Sequence, residues 1–235
     1  SLMKDKLEIL LPVYNEVDYI EKLLKGIDKA IKKKINYRFL ICEDGSNDGT
    51  KKLLTKLKKK YNFKLISKKK RKGFSRAVQD GIKKARADYL LMMDSDGQCD
   101  FKNILKLWKF RKEFDSINAY RVKRIDYAYR KIFSTACYIL YQLLFNVPLK
   151  DPSFTFIMVN KKVYRSLKNY NVLCPDGFSW EFNARAKMKG FKFKEVKIIH
   201  KKRKYGETKI YTYKNLPKIA IRHLIGMLKI KFFNG

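Results

Sequence analysis

Residues 89–100, YLLMMDSDGQCD, decide how the fold is organised. The first five are apolar or aromatic without a polar interruption, as in a strand that is buried on both faces of a parallel sheet. Asp94, Ser95 and Asp96 follow directly. Ligands of open α/β sheets bind beyond the carboxyl ends of the strands, so this stretch predicts a polar ligand site at the end of a buried strand.

The spacing of the two acidic residues suits a divalent cation. Asp94 and Asp96 can reach one hard cation together if the backbone turns between them, and Gln98 adds a neutral oxygen. Such a set leaves coordination positions for water and substrate phosphates, which is the usual environment of Mg²⁺ or Mn²⁺. We predict these three residues as metal ligands. The alternative is an Asp-rich turn with Gly97, because short motifs also match by chance.

Three more runs with the pattern of strands precede this strand and alternate with helical patterns. They lie at residues 7–11, 37–42 and 63–67, and Pro12 is expected to end the first because it lacks a ladder donor. The alternation predicts a parallel sheet with right-handed crossovers. Polar loops follow the first two runs, PVYNE at 12–16 and EDGSNDGT at 43–50. The carboxyl ends of parallel strands share one edge, so these carboxylates are expected to converge there: Glu16, Asp44, Asp94 and Asp96.

The second half of the chain is less regular. Helices are predicted at 101–114, 127–145, 181–189 and 215–233, and strands at 116–120, 154–159 and 191–199. The helix at 127–145 is too short and too polar to span a membrane, which favours core or interfacial packing. The last helix is basic and carries apolar residues at helical spacing.

The composition is that of a globular chain with an extreme charge. Of the 235 residues, 46% are hydrophobic, and 56 Lys and Arg stand against 22 Asp and Glu, a formal net charge of +34. This charge predicts attraction to polyanions, unless the lysines only cover solvated helix faces. The four cysteines form no CxxC pair, which disfavours zinc and a disulfide framework and favours a reducing, cytoplasmic setting.

The polar loops together resemble a known family. LPVYNE at 11–16, EDGSNDGT at 43–50 and DSDGQ at 94–98 are similar, in this order, to the motifs of family 2 glycosyltransferases. DPSFTF at 151–156 and RKYGETK at 203–209 are similar to the dolichyl-phosphate mannose synthase and polyprenyl-phosphate glycosyltransferase branch. The resemblance implies the GT-A fold, an α/β fold whose mainly parallel sheet is flanked by helices. It also implies a catalytic domain at 1–210, which leaves a basic amphipathic tail at 211–235 that we expect to associate with a membrane.

The resemblance implies a role for each matching residue. It implies that the nucleotide-sugar donor is bound by Pro12, Tyr14, Glu16, Asp44, Asp94, Ser95 and Arg121. It implies that Mg²⁺ or Mn²⁺ on the diphosphate is bound by Asp94, Asp96 and Gln98, and that Asp96 is a catalytic residue. For the phosphate of the acceptor it implies the cations Arg124, Arg130, Arg203 and Lys209. The first two of these cations also fit solvated surface charges.

The implied reaction is an inverting transfer from a GDP- or UDP-sugar. A polyprenyl phosphate acceptor is already an anion and needs no general base, whereas a hydroxyl of a growing glycan needs a carboxylate to take its proton. Glu181 is the predicted base. The alternative is that Glu181 is an ordinary helix-start carboxylate, which the helix dipole favours.

Departures from the branch concern its acceptor and its membrane anchor. Phe154 and Thr155 stand where the branch usually has Ser-Gly, and Glu43 stands where it has Asp. The branch often carries carboxyl-terminal transmembrane helices, and the sequence predicts none. We therefore expect a peripheral protein at the cytoplasmic face of an anionic membrane.

Two other classes of protein fit parts of the sequence. A polyanion-binding protein would explain the charge, but carboxylates at the sheet edge would repel phosphate without a metal, so no specific nucleic-acid partner is expected. A catalytically silent scaffold would have no physical need for Asp94 and Asp96 together.

Overall fold

The computed structural model describes residues 4–95, 100–122, 128–199 and 216–233, with the side chains of all of these except 128–133 and 216–217. They form one seven-stranded sheet with helices on both faces. The strands are β1 (Lys6–Val13), β2 (Asn36–Glu43), β3 (Phe63–Ser67), β4 (Tyr89–Met93), β5 (Ser116–Arg121), β6 (Phe156–Asn160) and β7 (Phe193–Ile198). The helices are α1 (Ile20–Ile31), α2 (Thr50–Leu57), α3 (Phe74–Lys84), α4 (Asn103–Trp108), α5 (Ala128–Phe145), α6 (Lys161–Ser166), α7 (Phe178–Met188) and α8 (Leu216–Phe232).

The strand order is β3-β2-β1-β4-β6-β5-β7, and only β6 is antiparallel to its neighbours. The predicted α/β fold with a mainly parallel sheet is therefore confirmed. Because β6 is reversed, its first residue, Phe156, lies opposite Met93 at the end of β4. The carboxyl ends of the other six strands and residues 151–155 before β6 thus share one side of the sheet, here called the carboxyl edge.

The sheet separates two apolar cores. In β1, Ile9 and Leu11 face the core that contains α1, α2 and α4, whereas Leu10 faces the core that contains α3, α6 and α7. Burial on both faces is why β4 reads as a continuous apolar run. A third cluster joins α5, α7 and α8 through Tyr141, Ala184 and Met227, among others. Among the described residues, no helix is long and apolar enough to cross a membrane.

Several sequence-based boundaries are wrong: α7 begins at Phe178 rather than at 181, β6 begins at Phe156 rather than at 154, and the sequence does not predict α6. Two further differences have a clear physical reason. β1 continues through Pro12 to Val13, because β1 pairs with β4 only as far as Leu10 and the missing donor is tolerated beyond that point. The helix predicted at 101–114 is only α4. It ends early because the amides of Phe110 and Arg111 donate to carbonyls three residues back, which tightens the chain into turns.

Candidate functional site

The loops after β1 and β2 are held together at the carboxyl edge by side-chain hydrogen bonds. The side chain of Asn15 donates to Oδ1 of Asn47 (2.9 Å) and accepts from the amide of Asn47 (3.0 Å). The amide of Glu16 donates to Oγ1 of Thr50 at 2.9 Å. Asn15 has a left-handed φ of 54°, which asparagine tolerates better than most residues. The short polar residues of both motifs therefore build one interlocked turn structure.

Asp44 holds the loop between β3 and α3 against this structure. Its carboxylate is buried and accepts from the amides of Lys72 and Gly73, one at each oxygen and both at 2.8 Å. Gly45 lies beneath the same loop with φ +75°, and a Cβ atom there would stand 2.8 Å from the backbone nitrogen of Arg71. The position therefore requires glycine for both its backbone angle and the close approach.

Arg71 is a residue that sequence reasoning missed. Its guanidinium carbon lies over the Tyr14 ring, 4.1 Å from the ring centroid, so a planar cation and an aromatic face form one wall at the carboxyl edge. Such a wall suits a nucleobase. Arg71 belongs to the basic run at 68–72, which reads as solvated charge, and the available signal is Gly73, whose φ of +93° turns the chain after that run.

Asp94 lies at the same edge, directly after β4. The neighbouring hydroxyl of Ser95 donates to the carbonyl of Pro12 at 3.0 Å, which ties the end of β4 to β1. Pro12 and Ser95 are buried, whereas Asp94 is half-buried. Its carboxylate oxygens are the donor type that Mg²⁺ and Mn²⁺ prefer, so Asp94 fits the predicted metal set. The other two predicted ligands, Asp96 and Gln98, lie outside the described residues.

Potential metal ligands are otherwise sparse. Within the part of the chain that the structure describes, no group of three or more His, Cys, Asp or Glu side chains could hold a metal ion.

Arg121 ends β5 at the same edge and is tied to the DPSFTF motif. It forms a two-pronged ion pair with Asp151 (2.7 and 2.9 Å), donates to Oγ of Ser153 at 3.1 Å and lies over the ring of Phe154. Its side chain is 15% exposed. Arg121 thus joins β5 to the segment before β6, and its contact with the donor stays a prediction.

The two residues of the DPSFTF motif that depart from the branch, Phe154 and Thr155, are both buried. Phe154 stacks on Phe156 with ring centroids 6.2 Å apart, and the hydroxyls of Thr155 and Ser179 share a hydrogen bond of 2.8 Å. This bond attaches the first turn of α7 to the carboxyl edge.

Glu181, two residues further along α7, contacts other partners. Its carboxylate accepts from the amides of Leu173 (2.9 Å) and Cys174 (2.7 Å) and pairs with Arg185 at 2.8 Å, and its side chain is fully buried. Burial raises the pKa of Glu181, against the opposing effects of the Cys174 amide and of Arg185. These contacts favour the alternative that Glu181 is an ordinary carboxylate at the start of a helix. Its role as a general base stays an untested prediction.

A cavity of about 200 Å³ opens between α5 and residues 150–153. Hydroxyl groups, the Lys150 ammonium and the Asp151 carboxylate line it, and its walls include Ser134, Tyr138, Ser153 and Trp180. The predicted acceptor cations Arg124, Arg130, Arg203 and Lys209 have side chains outside the described set. The segments that carry three of them follow β5 and β7, whose last residues, Arg121 and Ile198, lie side by side at the carboxyl edge.

Curated relatives with named activities match parts of this chain. A protein from Pyrococcus furiosus described as a dolichol-phosphate mannosyltransferase is 30% identical over 214 residues, which cover 87% of this chain and 59% of that protein. A dolichyl-phosphate beta-glucosyltransferase from Dictyostelium discoideum is 35% identical over 106 residues, or 41% of this chain and 32% of that protein. The chain therefore matches less than two thirds of the length of either relative.

Solved structures share the whole architecture. A mannosyltransferase from Pyrobaculum calidifontis in complex with GDP-Man and Mn²⁺ has a TM-score of 0.66 at 15% identity, covering 97% of this chain and 64% of that one. A glucosyl-3-phosphoglycerate synthase from Mycobacterium tuberculosis in complex with Mn²⁺, UDP-glucose and glycerol 3-phosphate has a TM-score of 0.71 at 13% identity, covering 97% and 80%. At these identities the likeness shows the fold, which is GT-A as predicted.

The match to a family model covers more than half of the chain. The model described as "Glycosyl transferase family 2" matches residues 8–168, which include both interlocked loops, the Tyr14–Arg71 wall and Asp94. Four of the motifs that carried the resemblance, at 11–16, 43–50, 94–98 and 151–156, thus lie within the matched region, whereas RKYGETK at 203–209 lies beyond it. The chain belongs to glycosyl transferase family 2.

Proposed function

We propose that the protein transfers a sugar from a nucleotide diphosphate donor to a polyprenyl phosphate, with inversion at the anomeric carbon. The observation that carries this proposal is the presence, at one sheet edge, of the wall of Tyr14 and Arg71, the buried Asp44 and the carboxylate of Asp94. Together they offer a stacking surface, an anchored loop and an oxygen ligand within the region that matches the family.

The donor would bind with its base against the Tyr14–Arg71 wall. Pro12, Glu16 and Asp44 would position the base and ribose, with Ser95 and Arg121 completing the site. The solved structures of similar fold contain GDP-Man in one case and UDP-glucose in the other, which supports a nucleotide-sugar donor of either base.

A divalent cation would be held by Asp94, Asp96 and Gln98. Mg²⁺ or Mn²⁺ at this position would offset the charge that develops on the leaving diphosphate. Both solved structures contain Mn²⁺, which supports a divalent cofactor.

The acceptor phosphate would attack the anomeric carbon directly. The new bond joins a phosphate oxygen to that carbon while the bond to the donor diphosphate breaks and the nucleoside diphosphate leaves. No proton needs to be removed, which agrees with a Glu181 carboxylate that is occupied by Arg185 and two amides. Arg124, Arg130, Arg203 and Lys209 would hold the acceptor phosphate, and the two dolichyl-phosphate relatives support this acceptor class.

A second acceptor class is a hydroxyl of a growing glycan. A poly(ribitol-phosphate) beta-glucosyltransferase from Bacillus spizizenii is 33% identical over 113 residues, or 47% of this chain and 18% of that protein. Turnover that depends on a lipid phosphate would favour the first class, and turnover with a soluble glycan would favour the second.

The cellular setting follows from the acceptor. A polyprenyl phosphate is embedded in a bilayer, so the catalytic domain at 1–210 would work at the cytoplasmic face of a membrane, with the tail at 211–235 in contact with it. The net charge of +34 supports attraction to an anionic surface.

Calorimetric titration tests the donor site. We expect GDP-mannose, UDP-glucose or UDP-N-acetylglucosamine to bind with Mn²⁺, and binding to weaken strongly with EDTA or in the Asp94→Asn variant. Glu113→Gln removes a carboxylate from an exposed position before β5, at the opposite side of the sheet, and should bind like the wild type. Failure of every donor to bind in the presence of metal would contradict the proposal.

A further inference from the structure

Helix α8 has two apolar faces. Ile219, Met227 and Ile230 are buried against α5 and α7, as is the ring of His223. At 3.6 residues per turn, a second apolar row lies on the opposite side of the helix and points to solvent. Its exposed members are Ile221 (58%), Leu224, Ile225 (47%), Leu228 and Phe232 (67%).

Basic residues border the exposed row. Lys218, Arg222 and Lys229 lie along one side of it, Lys231 lies on the other, and α8 contains no acidic residue. A surface helix of a soluble protein usually turns charged residues outward and apolar residues inward only. Here the outward face is apolar with a basic border, which is the pattern of helices that lie in the interface of a bilayer.

The catalytic domain fixes this orientation. Arg222 pairs with Asp176 at 2.6 Å. Gly226 lies so close to Cys174 that a Cβ atom there would stand 2.5 Å from its sulfur. Since Glu181 holds the amide of Cys174, the inner face of α8 rests on a segment that is anchored within α7. The exposed row therefore cannot turn inward while these contacts persist.

Helix α5, which contacts α8, contributes further exposed apolar side chains, Ile139 (54%) and Leu143 (79%). We call these two residues and the outward row of α8 the α5–α8 face. Exposed apolar side chains of this size on adjoining helices mark an interaction surface rather than scattered surface residues.

We propose that the α5–α8 face inserts into the headgroup region of an anionic bilayer and so sets the side from which the catalytic domain meets its membrane. The charge favours an anionic bilayer over a second copy of the chain. A second copy would also carry a net charge of +34, and its basic border would repel the basic border of the first. An anionic lipid surface complements both the apolar row and its border. The biological meaning of this inference rests on the proposed function. Its test does not, because vesicle binding is measured without sugar transfer.

The test is sedimentation of the purified chain with vesicles of phosphatidylcholine, alone or mixed with phosphatidylglycerol. We expect binding to the mixed vesicles, and a loss of about tenfold or more when Ile221 and Ile225 are both replaced by serine. Met188→Ser, which removes an exposed apolar side chain from the end of α7, is the matched control and should bind like the wild type. Lys218→Gln with Lys229→Gln should reduce the preference for the anionic lipid.

Donor calorimetry on the same variants separates this inference from the transferase proposal. The Ile221→Ser, Ile225→Ser double variant should keep donor affinity and its melting temperature, because both side chains are exposed. Equal vesicle binding by wild type and double variant would overturn the inference, as would no binding of the wild type to either vesicle. Self-association of the wild type that the double variant abolishes would assign the face to a second copy instead.

Discussion

The two sides of the carboxyl edge are stabilised by different chemistry. On one side, which we propose binds the nucleotide and here call the nucleotide side, the loops after β1, β2 and β3 are joined by hydrogen bonds to backbone amides, as between Asp44 and residues 72–73. On the other side, formed by the end of β5, residues 151–155 and α7, carboxylates pair with arginines, as in Arg121–Asp151 and Glu181–Arg185. The first side therefore depends on turn geometry, and the second on buried charges whose partners must stay in place.

The charge pairs should be the costliest contacts to break. Glu181→Gln leaves Arg185 buried without its counter-ion, and we expect a loss of about 3–5 kcal/mol in the free energy of unfolding. Asp44→Asn removes charge from a carboxylate whose described partners are neutral amides, and should lose only about 1–3 kcal/mol. Urea unfolding of both variants measures the difference.

A double variant sharpens the result. Glu181→Leu combined with Arg185→Leu removes both charges and should recover much of the stability lost in Glu181→Gln. Equal losses in Glu181→Gln and Asp44→Asn would remove the distinction between the two sides. A Glu181→Gln protein of normal stability that has lost turnover would instead restore the general-base prediction.

Two glycines with the same backbone angle separate the effect of the angle from that of the close approach at Gly45, because Gly190 precedes β7 at the opposite edge of the sheet. Gly45 has φ +75° with backbone atoms 2.8 Å from a would-be Cβ, whereas Gly190 has φ +77° with nothing within 4 Å. Alanine at Gly190 should cost about 1 kcal/mol for the angle alone. Alanine at Gly45 should cost about 2 kcal/mol more, because the 68–73 loop must shift. Thermal unfolding measures both, and similar melting temperatures would contradict the close approach.

The smallest expected effect concerns the stacking wall. Arg71→Ala should weaken donor binding about tenfold without changing the free energy of unfolding, because the planar cation over Tyr14 is lost. Lys70→Ala removes the same charge from the same loop and is the matched control. Calorimetry on the two variants gives the comparison, and equal weakening would mean that the loop contributes charge alone.

Features that depend on local sequence patterns could be predicted from the sequence, whereas contacts between distant segments could not. The helical pattern between the first two strands is confirmed by α1, and the apolar run before Asp94 is confirmed by β4, since both signals are local. The loops of the nucleotide side were identified because turn chemistry is written in short motifs. The Arg71–Tyr14 contact and the ties of Glu181 to residues 173–174 depend on where the chain returns in space. No local pattern encodes these partners.

The measurement that tests the central claim most directly is transfer of a labelled sugar to polyprenyl phosphate in mixed micelles with Mn²⁺. The account predicts a lipid-linked product of inverted anomeric configuration, formed from the donor that calorimetry selects and abolished by EDTA and by Asp94→Asn. Transfer that proceeds equally with EDTA, or a product with retained configuration, would contradict it.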